Sequence, residues 1–120
     1  MSRKILVADD NPASRELIRE VLEMSGYDVI DAADGQEAVG RAREFKPDLL
    51  LVDIQMPRLD GYGVLRELRA DPALNGLHIV ALTAFAMQGD RERAMDAGFD
   101  GYITKPVEIA ALRREILKFF

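Results

Sequence analysis

Short apolar runs alternate along this chain with stretches in which apolar residues recur every three to four positions. Runs apolar at consecutive positions suit strands covered by helices on both sheet faces, and the intervening stretches have the period and length of the covering helices. The pattern reads as five βα units. Strand one is predicted over about Lys4 to Ala8. Asn11 then caps a helix with Pro12 at its first position, where a missing N–H does no harm; Leu17, Ile18, Val21 and Leu22 form its apolar face, and Gly26 ends it. Strand two spans about Tyr27 to Ala32. Asp34 with Glu37 three residues on forms a capping box for helix two, with Ala38, Val39 and Ala42 inward, and Pro47 closes the unit. Strand three is about Asp48 to Val52, and helix three about Tyr62 to Ala70 through Val64, Leu65 and Leu68, stopped by Asp71-Pro72. Strand four is about His78 to Leu82. Helix four, about Asp90 to Ala97, offers only Ala94, Met95 and Ala97 for burial, so weak docking is expected and it is the best candidate for a moving part. Strand five is about Gly101 to Thr104, and helix five, about Glu108 to Phe119, carries Ile109, Leu112, Ile116 and Leu117 on a wide apolar face.

A chain of 120 residues holds one such domain, 1–120, with a core large enough to need no metal or disulfide staple. The absence of cysteine excludes a disulfide framework, a thiolate zinc site and thiol catalysis, and suits a reducing compartment, with the cytoplasm as the default expectation. The N-terminus enters a short strand after Arg3 and Lys4, too brief for a signal-peptide core and far short of the ~20 apolar residues that span a bilayer. Twenty-one acidic residues against 16 basic ones give a net charge of -5, so neither direct nucleic-acid binding nor membrane binding is expected.

The run Leu49-Leu50-Leu51-Val52-Asp53 delivers a carboxylate straight out of an apolar strand, and Ile5-Leu6-Val7-Ala8 likewise ends in Asp9-Asp10. Strands four and five end in Thr83 and in Thr104-Lys105-Pro106. In a parallel sheet all of these emerge at the carboxyl edge, where ligand sites of open α/β sheets lie. Carboxylates gathered there repel one another unless a cation neutralises them, and oxygen ligands without His or Cys point to Mg²⁺. Three carboxylates, a hydroxyl and a lysine form a site for a phosphoryl group, with one aspartate as the nucleophile.

Each element also has an ordinary reading. Asp9-Asp10 before Asn11-Pro12 is by itself a polar turn and helix cap. Thr83 suits a strand end, Lys105 a surface position, and Tyr102 a half-buried strand site with a wet hydroxyl. His78, the single histidine, reads as a surface residue, Phe119-Phe120 as packing of helix five with one of them exposed, and Asp34, Glu37 and Asp60 as caps or turn formers.

Taken together and in order, the motifs Asp9-Asp10, Asp53-Ile54-Gln55-Met56-Pro57 with Asp60-Gly61 downstream, Ala81-Leu82-Thr83-Ala84, Gly98 and Lys105-Pro106 resemble a response regulator receiver domain over the whole chain. That resemblance implies a flavodoxin-like, doubly wound α/β fold: a five-stranded parallel sheet of order 2-1-3-4-5, with helices one and five on one face and two, three and four on the other. It implies a phosphoprotein of bacterial two-component signalling in which Asp53 accepts a phosphoryl group from the phosphohistidine of a histidine kinase or histidine phosphotransfer protein. Asp10, Asp53 and the Gln55 backbone carbonyl would ligate Mg²⁺ directly and Asp9 through water. Thr83 would swing toward the phosphoryl group, Lys105 pair with it, and Tyr102 turn inward behind Thr83, while the Lys105-Pro106 peptide is expected to be cis. Gln55 and Phe85 match positions that tune dephosphorylation. Neither supplies an acid or base, so a long-lived phosphorylated state is expected, with no enzymatic activity beyond the chain's own phosphotransfer and slow autodephosphorylation.

Phosphorylation would bias an existing equilibrium and expose a surface on helix four, strand five and helix five to a downstream protein effector, the chain being a monomer or a weak phosphorylation-dependent dimer. Whether it stands alone or forms part of a larger regulator or hybrid kinase is open. Two other functions compete. An aspartate-based phosphatase or phosphotransferase acting on small molecules wants a second Asp two residues after the nucleophile, where Gln55 stands, and a cap domain. A phosphorylation-independent interaction module would keep the fold without needing all five site residues.

Overall fold

A computed structural model describes residues 3–84 and 87–120. The order is β1 (Lys4–Ala8), α1 (Pro12–Met24), β2 (Asp28–Ala32), α2 (Gly35–Phe45), β3 (Leu49–Asp53), α3 (Gly61–Arg69), a 3-10 turn at Pro72–Leu74, β4 (His78–Thr83), α4 (Asp90–Ala97), β5 (Gly101–Thr104) and α5 (Ile109–Leu117). All pairings are parallel and the strands lie in the order β2-β1-β3-β4-β5.

The inner strands are apolar through their middle positions, residues 5–8, 49–52 and 79–82, because both faces are covered there. Leu6, Ala8, Leu50, Val52, Ile79 and Ala81 join one core cluster with α2, α3 and α4. Their alternates Ile5, Val7, Leu49, Leu51, Val80 and Leu82 join a second with α1 and α5. Every residue of β3 is buried, and each fully buried leucine there contributes roughly 1.5–3 kcal/mol.

Local signals set the helix starts. Asn11 accepts the N–H of Ser14 at 3.1 Å, Asp34 that of Glu37 at 2.8 Å, and Asp60 that of Gly63 at 2.8 Å. Gly26, at φ +93°, follows α1 in the left-handed conformation that ends helices readily only at glycine. At the amino edge of the sheet the final aromatics close the base: Phe119 lies 4.9 Å from His78, and Phe120 lies 5.6 Å from Tyr27 beneath the Arg3 guanidinium. Both phenylalanines are half-buried. Among the described residues no helix is long and apolar enough to cross a membrane.

Several sequence expectations shift. β3 and β4 each run one residue further, so Asp53 and Thr83 belong to the sheet itself. Leu17 is 47% exposed, because α1 seats on Ile18, Val21 and Leu22 and Leu17 falls beside that line. Helix α4 buries only Ala94; Met95 and Ala97 are exposed, and Phe99 just beyond the helix takes the interior position instead. On α5 the inward residues are Leu112, Glu115 and Ile116, leaving Ile109 and Leu117 outside. The apolar face expected there is narrower than the sequence suggests and includes a carboxylate.

Candidate functional site

Asp53 ends the central strand, so its neighbours are the ends of β1 and β4. The β3–β4 register sets it opposite Leu82, one residue before Thr83, and Asp9 follows β1 directly. The backbone ties hold these ends in place: Ile54 N–H donates to Leu82 O at 2.9 Å, Asp9 N–H to Ala32 O at 3.1 Å, and Lys105 N–H to Thr83 O at 2.7 Å. Gly61 lets the loop after β3 fold back over its own strand end. Its N–H donates to Ile54 O at 2.8 Å, and a Cβ there would lie 2.7 Å from Ile54 Cα.

Asp9 and Asp53 each turn one oxygen onto the backbone two residues ahead. Asp9 Oδ1 accepts the Asn11 N–H at 2.9 Å and Asp53 Oδ1 the Gln55 N–H at 3.0 Å. Their second oxygens meet at Lys105, whose ammonium lies 2.8 Å from Asp9 Oδ2 and 2.7 Å from Asp53 Oδ2. The Asp53 contact is a well-formed hydrogen bond. Asp9 Oδ2, wholly buried, has the ion pair alone and makes no hydrogen bond among the described residues. Asp10 is exposed, and Asp9, Asp10 and Asp53 each offer an oxygen within 4.8 Å of the others.

The charges are therefore unbalanced, three carboxylates to one ammonium. Burial pushes the Asp53 carboxyl above the ordinary carboxylate range and Asp9 adds repulsion, while Lys105 and the Gln55 N–H offset this only in part. Burial opposes the charged form of Lys105, but the hydrogen bond to Asp53 and the close carboxylates of Asp53 and Asp9 prevail and raise its pKa. A buried carboxylate oxygen lacking a hydrogen bond, beside two more carboxylates and no His or Cys, is a donor set that fits a hard divalent cation such as Mg²⁺. The site opens into a cavity of about 460 Å³ lined by Asp10, Asp53, Gln55, Ala84 and Lys105.

Thr83 is buried at the end of β4. The Lys105–Pro106 peptide is cis. Gln55 is exposed at the cavity wall, whereas Phe85 lies outside the described residues. Tyr102 sits apart from the acidic group on the edge strand β5. Its side chain packs against the cluster beneath α3 and α4, and its hydroxyl is enclosed without a hydrogen-bond partner among the described residues. Two contacts went unread in the sequence. Lys105 bridges Asp9 as well as Asp53, and Arg15 donates to the Asp9 carbonyl at 2.8 Å while lying 3.7 Å from Asp31. The position of Arg15, one turn into a helix that starts beside Asp9, was the available signal for the second.

The family model of the response regulator receiver domain matches residues 5–117. The polar-differentiation response regulator DivK of Brucella anthropi is 40% identical over 109 residues, spanning 91% of this chain and 89% of that protein. A putative response regulator from Chloroflexus aurantiacus superposes with a TM-score of 0.93 at 30% identity, covering 99% of this chain and 98% of the other. The receiver domain of sensor histidine kinase PA1611 from Pseudomonas aeruginosa, solved with a magnesium ion coordinated in its active site cleft, gives a TM-score of 0.88 at 42% identity, covering 98% and 96%.

Proposed function

The chain belongs to the response regulator receiver domain family, phosphoacceptor modules of two-component signalling, and on that premise we propose that Asp53 is its phosphoacceptor. The observation that carries the assignment is the setting of that carboxylate, at the end of the central strand, within 4.8 Å of Asp9 and Asp10 and bonded to the Lys105 ammonium at 2.7 Å. A carboxylate oxygen of Asp53 attacks the phosphorus of a phosphohistidine on a histidine kinase or histidine phosphotransfer protein. The P–N bond breaks, its electron pair returns to the imidazole nitrogen, and an acyl phosphate forms. Lys105 exchanges its Asp53 contact for the phosphoryl oxygens, and Thr83 supplies a hydroxyl hydrogen bond.

Asp10, Asp53 and the Gln55 carbonyl, with Asp9 through water, would hold Mg²⁺, which when bound neutralises charge on the transferred phosphoryl group. The buried Asp9 Oδ2, held by an ion pair without a hydrogen bond, and the magnesium in the Pseudomonas receiver support that choice of ion.

The rest of the proposal covers residues 1–120 as one receiver domain working in the cytoplasm, without direct nucleic-acid or membrane contact, as a monomer or a weak phosphorylation-dependent dimer. Its chemistry is limited to its own phosphotransfer and slow hydrolysis, since Gln55 and Phe85 bring no acid or base to the acyl phosphate. The output is a rearrangement of Thr83, Tyr102 and α4, read by a protein effector on α4, β5 and α5. The single buried residue of α4, Ala94, supports its role as the part that moves. Mg²⁺-dependent labelling of the chain by acetyl phosphate tests the assignment, with loss of label expected in Asp53→Asn. Labelling that persists in this variant would place the acceptor elsewhere.

A further inference from the structure

Four polar or charged residues are buried among the described residues, and three of them, Asp9, Asp53 and Thr83, belong to the site. The fourth, Glu115, is 8% exposed on the inner side of α5, where a packed helix ordinarily carries an apolar residue. Its carboxylate is aimed at β5. That strand pairs only with β4, so its other edge leaves backbone N–H groups unpaired. Glu115 Oε1 lies 3.4 Å from the Tyr102 nitrogen and accepts its outward-facing N–H. A Cβ on Gly101 would come within 3.1 Å of the same oxygen, so the glycine next to Tyr102 leaves the space through which the carboxylate reaches the strand. Oε2 pairs with Lys118 at 2.6 Å, but the Lys118 side chain is 60% exposed, and an ion pair in such contact with water adds little. The contact that burial strengthens is the one to Tyr102.

We propose that Glu115 is a positioning residue of the switch, whose carboxylate holds the open edge of β5 against α5 in the setting that encloses the Tyr102 hydroxyl and fixes where Lys105, three residues on, leaves the strand. The inference rests on Asp53 being the phosphoacceptor and Tyr102 moving with it. It has an unusual signature, because exchanging a buried ion-paired group for a well-packed apolar one is often neutral or stabilising. Glu115→Leu should therefore fold at least as firmly as the parent while losing control of the strand.

Two readouts by ¹⁵N NMR on the full chain separate these effects: amide exchange at Tyr102 in the unmodified protein, and half-saturation by beryllium trifluoride in Mg²⁺. In Glu115→Leu the Tyr102 amide should exchange about fivefold faster, with β1 and β3 amides unchanged, and half-saturation should need about fivefold more beryllium trifluoride, the size expected for one hydrogen bond. Glu115→Gln, which keeps an acceptor oxygen, should stay near the parent in both. Glu115→Thr, too short to reach, should follow the leucine variant and serves if that one packs badly. Unchanged Tyr102 exchange, or unchanged half-saturation, in both shortened or apolar variants overturns the proposal while leaving Asp53 as acceptor. A parent chain that ignores beryllium trifluoride in Mg²⁺ overturns the acceptor assignment, and the proposal with it.

Discussion

Replacing Asp10 by asparagine should stabilise the metal-free protein and at the same time blunt its response to Mg²⁺. Asp10 is exposed and makes no hydrogen bond or ion pair among the described residues, so the substitution removes none of those contacts. It does remove a charge held within 4.8 Å of Asp9 and Asp53. At that separation, with an effective dielectric between 40 and 80 for a group in contact with water, Coulomb's law gives about 1–2 kcal/mol per repelling pair. Two such repulsions disappear, and one attraction to Lys105 of similar size goes with them. The net gain is about 1 kcal/mol, which for a domain of this length corresponds to a midpoint rise of roughly 4 °C. In Mg²⁺ the order should reverse. Binding that saturates the parent site tenfold adds about 1.4 kcal/mol to its stability, whereas the variant has lost a ligand. Urea denaturation of both proteins, in chelator and in millimolar Mg²⁺, reads the two effects together, and added monovalent salt should shrink the difference in chelator. The reasoning fails if the variant is less stable than the parent in chelator, or if Mg²⁺ stabilises the two equally.

Removing the ammonium instead, in Lys105→Ala, leaves Asp9 and Asp53 without their shared partner and should lower stability in chelator by about 3 kcal/mol, with Mg²⁺ restoring much of it; a denaturation midpoint equal to the parent's in chelator would contradict the geometry. Gly61→Ala would set a methyl group 2.7 Å from Ile54 Cα, which is backbone and cannot step aside, so a loss of about 2 kcal/mol is expected together with slower labelling of Asp53, and an unperturbed variant would show that the loop after β3 yields.

The sheet was readable because its inner strands are apolar on both faces, a pattern that only a covered parallel sheet explains, and Asn11-Pro12, Asp34 and Asp60 marked the helix starts by their capping chemistry. Asp9, Asp10 and Asp53 were readable as a group because parallel strands bring their ends to one edge, and the structure draws those carboxylates together. Which side of a helix wins was harder. Leu17 and Ile109 look like core residues by spacing, yet each helix seats on a narrow line of residues and both fall outside it. Glu115 carried no signal in the sequence, because a glutamate on an amphipathic helix looks solvated unless the open edge of a neighbouring strand is known to need an acceptor. The sharing of Lys105 between two carboxylates depends on contacts of 2.8 and 2.7 Å that the three-dimensional fold alone sets, and no spacing in the sequence carries them.

The packing of Phe119 on His78 and of Phe120 on Tyr27 and Arg3 closes one end of the sheet, while the other end carries the acidic cavity. The two ends of the domain thus differ in kind, a packed aromatic base and an open, charged tip. If Asp53 is the phosphoacceptor, as proposed, its modification would act at the tip, beside the flank formed by α4 and β5. A molecule resting against the aromatic base would sense almost nothing of that change, whereas one approaching the tip or its flank would meet all of it.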